Sequence, residues 1–254
     1  ETADGSRYPD DRRLILVRRG IRAGRFEEAE MIARTVLNEQ PDIDRAVFFL
    51  ALAIHKQKRY GQARELLERA MLSSQPYPER GHVAHFLGWC CYYTGDLASA
   101  RHYFEIHASH WPNFDDTHYG LGVIALDEDR IVDAEESFKT ALRLQQMQPD
   151  DIRSQAKTVA RLGDVALRQD QIEVAIGRYE SAVRLWSDHY EAWARLARLY
   201  HREGREEDAE RAEREEQLAR VRMGRAEASV LDGAAIDPGT NEPEQPSGAP
   251  TPAP

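Results

Sequence analysis

One alanine recurs through the chain, at Ala29, Ala63, Ala100, Ala134, Ala175 and Ala209, and the segments around it resemble one another. The separations are 34, 37, 34, 41 and 34 residues. A unit returning at that period cannot bury its apolar face alone, so it must stack on the units before and after it; the chain is thereby restricted to a repeat array. Each copy reads as two helices and a turn. In the fourth unit Leu121, Gly122 and Ala125, then Ile131, Ala134, Phe138 and Ala141, recur at three- and four-residue steps and share one face of each helix. Gly24, Gly95 and Gly204 stand between paired helices, where a residue without Cβ takes positive φ and ends a helix. Pro41-Asp42, Pro112-Asn113, Pro149-Asp150 and Ser187-Asp188 mark the breaks between successive units. No segment sustains period-two alternation, so no sheet is expected.

The last unit places Trp193, Leu196, Ala197 and Tyr200 ahead of Ala209, a W-x2-L-G-x2-Y opening with alanine for glycine. Other units keep a leucine followed by a small residue, as Leu50-Ala51, Leu87-Gly88, Leu121-Gly122 and Leu162-Gly163. On these residues the chain resembles the tetratricopeptide-repeat family over about residues 11 to 222. The resemblance implies an all-α fold, a right-handed α-solenoid of about six helix-turn-helix repeats. The first unit departs most, with Val17 in the small slot and Gly20 in the aromatic slot. Three extra residues between Ala63 and Ala100 fit an expanded turn at "SSQPYPERG", where Pro76 and Pro78 forbid a continuous helix. Seven between Ala134 and Ala175 equal about two helical turns and lengthen the helices around "QQMQPDDIRSQ". The expected layout is a disordered segment over residues 1–10, the solenoid over 11–225, and a disordered, acidic, proline-rich tail over 226–254; removal of residues 230–254 is expected to leave the melting temperature unchanged.

Charge narrows the partners. Lys and Arg number 34 against 44 Asp and Glu, and the formal charge of −10 opposes attraction to nucleic acid or to an anionic membrane surface. The longest apolar run, residues 46–54, is far short of the roughly 20 residues that span a bilayer, and no basic-then-apolar leader precedes it. A soluble, cytoplasmic protein is the expectation. Because the chain begins with Glu1, an exported, periplasmic product whose signal segment has been removed is the alternative.

The stretch "FLGWCCYYTGDLASARHYFE" concentrates residues that could carry chemistry, with two adjacent cysteines and His82, His85 and His102 nearby. Within the repeat frame Cys91 faces the paired helix and Cys90 faces the preceding unit; adjacent cysteines rarely close a disulfide, and a C-x-x-C pair is absent. His82 and His85 share a face at i, i+3, but no H-E-x-x-H or carboxylate completes a zinc set, and His107 replaces a small residue between helices. G-x-S-x-G, P-loop and G-x-G-x-x-G signatures are missing. No enzyme activity, metal or cofactor is expected.

What remains is the concave surface lined by first helices. The frame assigns it Arg18 and Arg22; Phe48, Leu52 and His55; His82, His85, Trp89, Tyr92 and Tyr93; Tyr119 and Val123; Lys157, Asp164 and Arg168; and Glu191, Arg198 and Arg202. Its middle is aromatic and its ends mostly cationic, against the sign of the whole chain. Such aromatics resemble peptide-binding hot spots, with Arg and His able to hold carboxylates. The family's carboxylate-clamp subset uses Asn and Lys in slots that here hold Arg18, Leu52 and Trp89. The expected function is a protein-protein interaction scaffold that binds a protein or peptide segment of unknown identity in this groove. The alternative is an assembly module that forms homo-oligomers or docks a neighbouring domain through its terminal helices.

Overall fold

A computed structural model describes residues 10–148 and 150–231. Six helix pairs follow in order: α1 (Arg13–Arg22) with α2 (Phe26–Glu39), α3 (Asp44–Lys56) with α4 (Tyr60–Leu72), α5 (Val83–Tyr93) with α6 (Leu97–His110), α7 (Asp115–Asp127) with α8 (Ile131–Gln146), α9 (Ile152–Arg168) with α10 (Ile172–Leu185), and α11 (Tyr190–Arg202) with α12 (Glu206–Leu231). No strand occurs among the described residues. Each helix packs on its partner and on the helix that follows, giving an all-α solenoid.

The same turn joins all six pairs. Five residues before each repeat alanine the backbone becomes left-handed, at Gly24 (φ 73°), Lys58 (62°), Gly95 (83°), Asp129 (58°), Asp170 (58°) and Gly204 (71°). The next N–H then donates back to the first helix, as in Arg25 to Gly20, Arg59 to Ile54 and Asp96 to Cys91, over 2.8–3.2 Å, capping an otherwise orphan carbonyl. Sequence reading found only the three glycines. Lysine and aspartate adopt the same conformation at a local cost of about 1–2 kcal/mol, which the packed pair on either side holds in place.

The six repeat alanines are all fully buried. Four residues after three of them, Phe104, Phe138 and Tyr179 lay their rings on Gly88, Gly122 and Gly163, where an added Cβ would lie 2.7, 2.7 and 2.9 Å from the ring. Glycine here is a clearance, since any side chain would separate the two helices. Phe104 also covers Gly120 of the following unit, where a Cβ would again lie at 2.7 Å, so one ring couples two units. Val17 is fully buried and Gly20 lets α1 approach Ala29, so the divergent first unit closes as a helix pair.

The longer intervals resolve into turn and helix. Between α4 and α5 lies a 3-10 helix, Pro78–His82, with Tyr77 buried against Phe48 at 6.1 Å. α8 and α9 reach 16 and 17 residues, where α3, α7 and α11 have 13 each. The expected boundaries shift at both ends. Asp10, assigned to the N-terminal segment, pairs with Arg45 of α3 at 2.5 Å, and α12 continues past 226 to Leu231. The remainder of both expected terminal segments, residues 1–9 and 232–254, lies outside the described residues.

Candidate groove across the first helices

A groove of about 840 Å³ runs along the first helices of units two to six. Its lining begins at His55 and Lys56 of α3 and continues through Phe86, Trp89 and Tyr93 of α5, Asp116 and Tyr119 of α7, and Lys157, Arg161 and Asp164 of α9. It ends at Arg195 and Arg198 of α11, where Trp186, His189, and Arg220 and Met223 of α12 close it.

The aromatic wall is a stacked series. Tyr60 lies parallel to Tyr93 at 4.2 Å, Tyr93 to Trp89 at 5.8 Å, and Trp89 approaches Tyr119 at 6.3 Å. Tyr93 remains half exposed, whereas Trp89 is tied down by Phe104 at 5.2 Å and by its indole N–H donating to Asp116 at 3.1 Å.

Behind this wall a hydrogen-bond chain crosses the third and fourth units. His82 Nδ1 meets His107 Nε2 at 3.1 Å, His107 Nδ1 meets Thr117 Oγ1 at 2.7 Å, Thr117 Oγ1 meets His85 Nδ1 at 3.0 Å, and His85 Nε2 meets Asp116 at 3.1 Å. With the carboxylate accepting, donor and acceptor roles follow in sequence for neutral rings. His85 donates through Nε2 and accepts the Thr117 hydroxyl proton, and Thr117 accepts from His107, which accepts from His82. Burial and the neighbouring imidazoles hold His107 down to about 3. Partial desolvation disfavours the charge of the half-exposed Asp116, yet hydrogen bonds from His85 and Trp89 keep its carboxyl below the usual range. His107 also borders a second cavity of about 460 Å³ beside Trp111, so the chain of bonds runs from that cavity to the groove.

At the other end, Asp164 is buried and fully answered. It accepts from the Tyr179 hydroxyl at 2.5 Å and pairs with Arg161 at 3.1 Å and Arg195 at 2.8 Å. These groups hold α9, α10 and α11 together and orient both guanidinium groups in the groove lining.

The cysteines face inward as read. Cys91 packs with Ala100, Phe104 and Ile124, and Cys90 joins the core of the preceding units beside His55, 3.4 Å from its Sγ. Burial pushes Cys90 up to about 12 and Cys91 to about 11, so both are neutral thiols. Among the described residues no three His, Cys, Asp or Glu side chains gather as metal ligands, and no helix is long and apolar enough to cross a membrane.

Of the residues expected in the groove, His55, His85, Trp89, Tyr93, Tyr119, Lys157, Asp164, Glu191 and Arg198 line it. Others do not. Phe48 and Val123 are buried in the core, Phe48 against Phe49 and Phe86 at 5.6 and 5.8 Å. His85, at the repeat position of Phe48, is likewise only 3% exposed. Leu52 packs half-buried on the core, and His82 stacks on Trp111 at 5.0 Å. The Tyr92 hydroxyl donates to Asp127 and Arg168 pairs with Asp129, and neither lines the groove; Arg202, Arg18 and Arg22 are also absent from the lining. The sequence reading missed Phe86, Arg161 and Arg195. All three stand fourteen residues before their alanines, and that shared register was a signal available in the sequence.

Family models described as tetratricopeptide repeat match residues 44–105, 92–151 and 161–220, together about two thirds of the chain. No curated protein matches the sequence. Among solved structures the chain is similar to the APC/C hetero-tetramer Cut9-Hcn1, with TM-score 0.66 and 18% identity over 84% of this chain; the match spans only 40% of the length of that one. BtubC (BKLC) from P. vanneervenii matches with TM-score 0.61 and 15% identity over 92% of this chain and 97% of its own. YrrB, described as a TPR protein with an unusual peptide-binding site, matches with TM-score 0.53 and 15% identity over 69% of this chain and 86% of its own. Repeat period, paired helices and family models agree: this chain belongs to the tetratricopeptide-repeat family.

Proposed function

We propose that the chain is a non-enzymatic protein-interaction scaffold that holds an extended segment of another protein in the groove described above. The observation that carries this reading is one continuous lining drawn from five successive first helices, aromatic in the middle and cationic towards α11. Five helices at roughly 10 Å spacing make a path of about 40 Å, room for about a dozen extended residues. Ring faces supply area at little entropic expense, and the charges supply register. The YrrB likeness supports the fold of such a module; its peptide is not carried over. Selection from a random peptide display library on the immobilised protein tests the reading. Enriched peptides should lose affinity about thirtyfold with Tyr93→Ala, the half-exposed anchor, and less with Arg198→Glu. Peptides that bind both variants as well as the wild type would refute groove binding.

The alternative, self-association through the ends, is favoured by one observation. Ile15, Leu16 and Met31 of the first unit and Leu218 and Val221 of α12 are each about half exposed or more. Light scattering that gives the mass of one chain at high concentration would dismiss it.

A further inference from the structure

We propose that residues 232–254 of this chain occupy its own groove, with their carboxylates held at the end formed by α9, α11 and α12. This deepens the groove reading and rests on it. Charge is the first ground. The lining carries Lys56, Lys157, Arg161, Arg195, Arg198 and Arg220 against Asp116, Asp164 and Glu191, in a chain of net charge −10. Asp164 already answers Arg161 and Arg195, and Glu216 answers Arg220. Lys157, 5.9 Å over the Trp186 ring, and Arg198 have no carboxylate within ion-pair distance among the described residues.

Two buried polar groups give the second ground. His189 is 5% exposed and Gln145 3% exposed; both line the groove, and His189 Nε2 and Gln145 Oε1 have no hydrogen-bond partner among the described residues. Buried polar atoms left unmatched are rare in native proteins, and these two share the groove lining with Lys157.

The path of the chain and the composition of the segment complete the case. Arg220 lies over the Tyr190 ring at 4.5 Å and Arg222 pairs with Asp188, so this stretch of α12 is beside the start of α11, at the same end as His189. From Met223 to Leu231 the helix advances about 12 Å. The 23 residues that follow can reach about 75 Å if extended, enough to turn back and traverse the groove. They hold Asp232, Asp237, Glu242 and Glu244, no Lys or Arg, and six prolines. Carboxylates suit the free cations, and proline rings in an extended chain suit the faces of Tyr93 and Trp89. Composition alone predicts a tail without effect on stability; a groove of opposite charge supplies what composition cannot show.

A spin label at Ser247→Cys in the full chain tests the assignment, since Cys90 and Cys91 are buried and do not compete for the label. The indole N–H signals of Trp186 and Trp89 should broaden relative to Trp111, which borders the second cavity instead. Lys157→Glu, neutralisation of the four tail acids, or 1 M salt, where the screening length falls to about 3 Å, should each restore them. Synthetic peptide 232–254 should also restore them, at millimolar concentration because the tether supplies about that much locally. Equal effects on all tryptophans, or broadening that survives every charge change, would overturn the proposal. So would broadening in a mixture of isotope-labelled chains with separately spin-labelled chains, which would assign the groove to the tail of a second copy. Absence of broadening beside successful display selection would remove the tail and leave the groove.

Discussion

Gly122→Ala measures how tightly the second helix of a repeat is seated on the first. In an open helix interior, alanine for glycine stabilises by about 1 kcal/mol, because the backbone loses less freedom on folding. At Gly122 the new Cβ would lie 2.7 Å from two ring carbons of Phe138 and 3.0 Å from a third, and Phe138 is fully buried. Carbon atoms in good contact are about 3.5–4.0 Å apart, so the ring has to retreat by about 1 Å inside a closed core, an overpacking cost of about 1–3 kcal/mol. The net expectation is a loss of about 0–2 kcal/mol, and a larger loss for Gly122→Leu. Gly177 of α10 is the control, since nothing lies within 4 Å of its would-be Cβ, and Gly177→Ala should stabilise by about 1 kcal/mol. Urea denaturation followed by far-ultraviolet circular dichroism would then separate the two variants by about 1–3 kcal/mol, with Gly177→Ala above wild type and Gly122→Ala at or below it. Phe138→Leu should relieve the crowding, so that Gly122→Ala costs less in that background than alone. If Gly122→Ala raises the midpoint as much as Gly177→Ala does, the ring-on-glycine seat is wrong and the repeat register with it.

Three further outcomes are expected. Lys58→Gly should stabilise by about 0.5–1 kcal/mol by relieving the left-handed turn, more than Asp129→Gly does because aspartate tolerates that region, and thermal melts check the order. His55, His107 and His189 have native values of about 4, 3 and 4, lowered first by burial, against about 6.5 in the unfolded chain. The unfolded state therefore binds more protons below pH 6.5, so stability is full above that pH and falls towards pH 4; urea midpoints at several pH values should decline less steeply for His189→Gln. Asp164→Ala strips the partner from Arg161, Arg195 and the Tyr179 hydroxyl and should cost about 3 kcal/mol, against about 1 kcal/mol for Tyr179→Phe, both read by urea denaturation.

The sequence by itself determined the unit and its local chemistry. A period near 34, an unvarying alanine slot and leucine-small pairs are consequences of helices meeting at close range, and that requirement repeats in every copy whatever the neighbours do. Even the missed turns at Lys58, Asp129 and Asp170 were legible by register, five residues before the alanine. Tertiary structure alone decided which residues of a first helix stay open, because that depends on the rotation of each unit against the next. The same repeat position gives Phe48 in the core, His85 in a buried hydrogen-bond chain and Tyr119 on the groove wall. It also decided that α12 brings Arg220 and Met223 to close one end of the groove. Contacts between repeats, such as Arg161 of α9 with Tyr119 of α7, 42 positions apart, follow from stacking geometry that no single repeat contains.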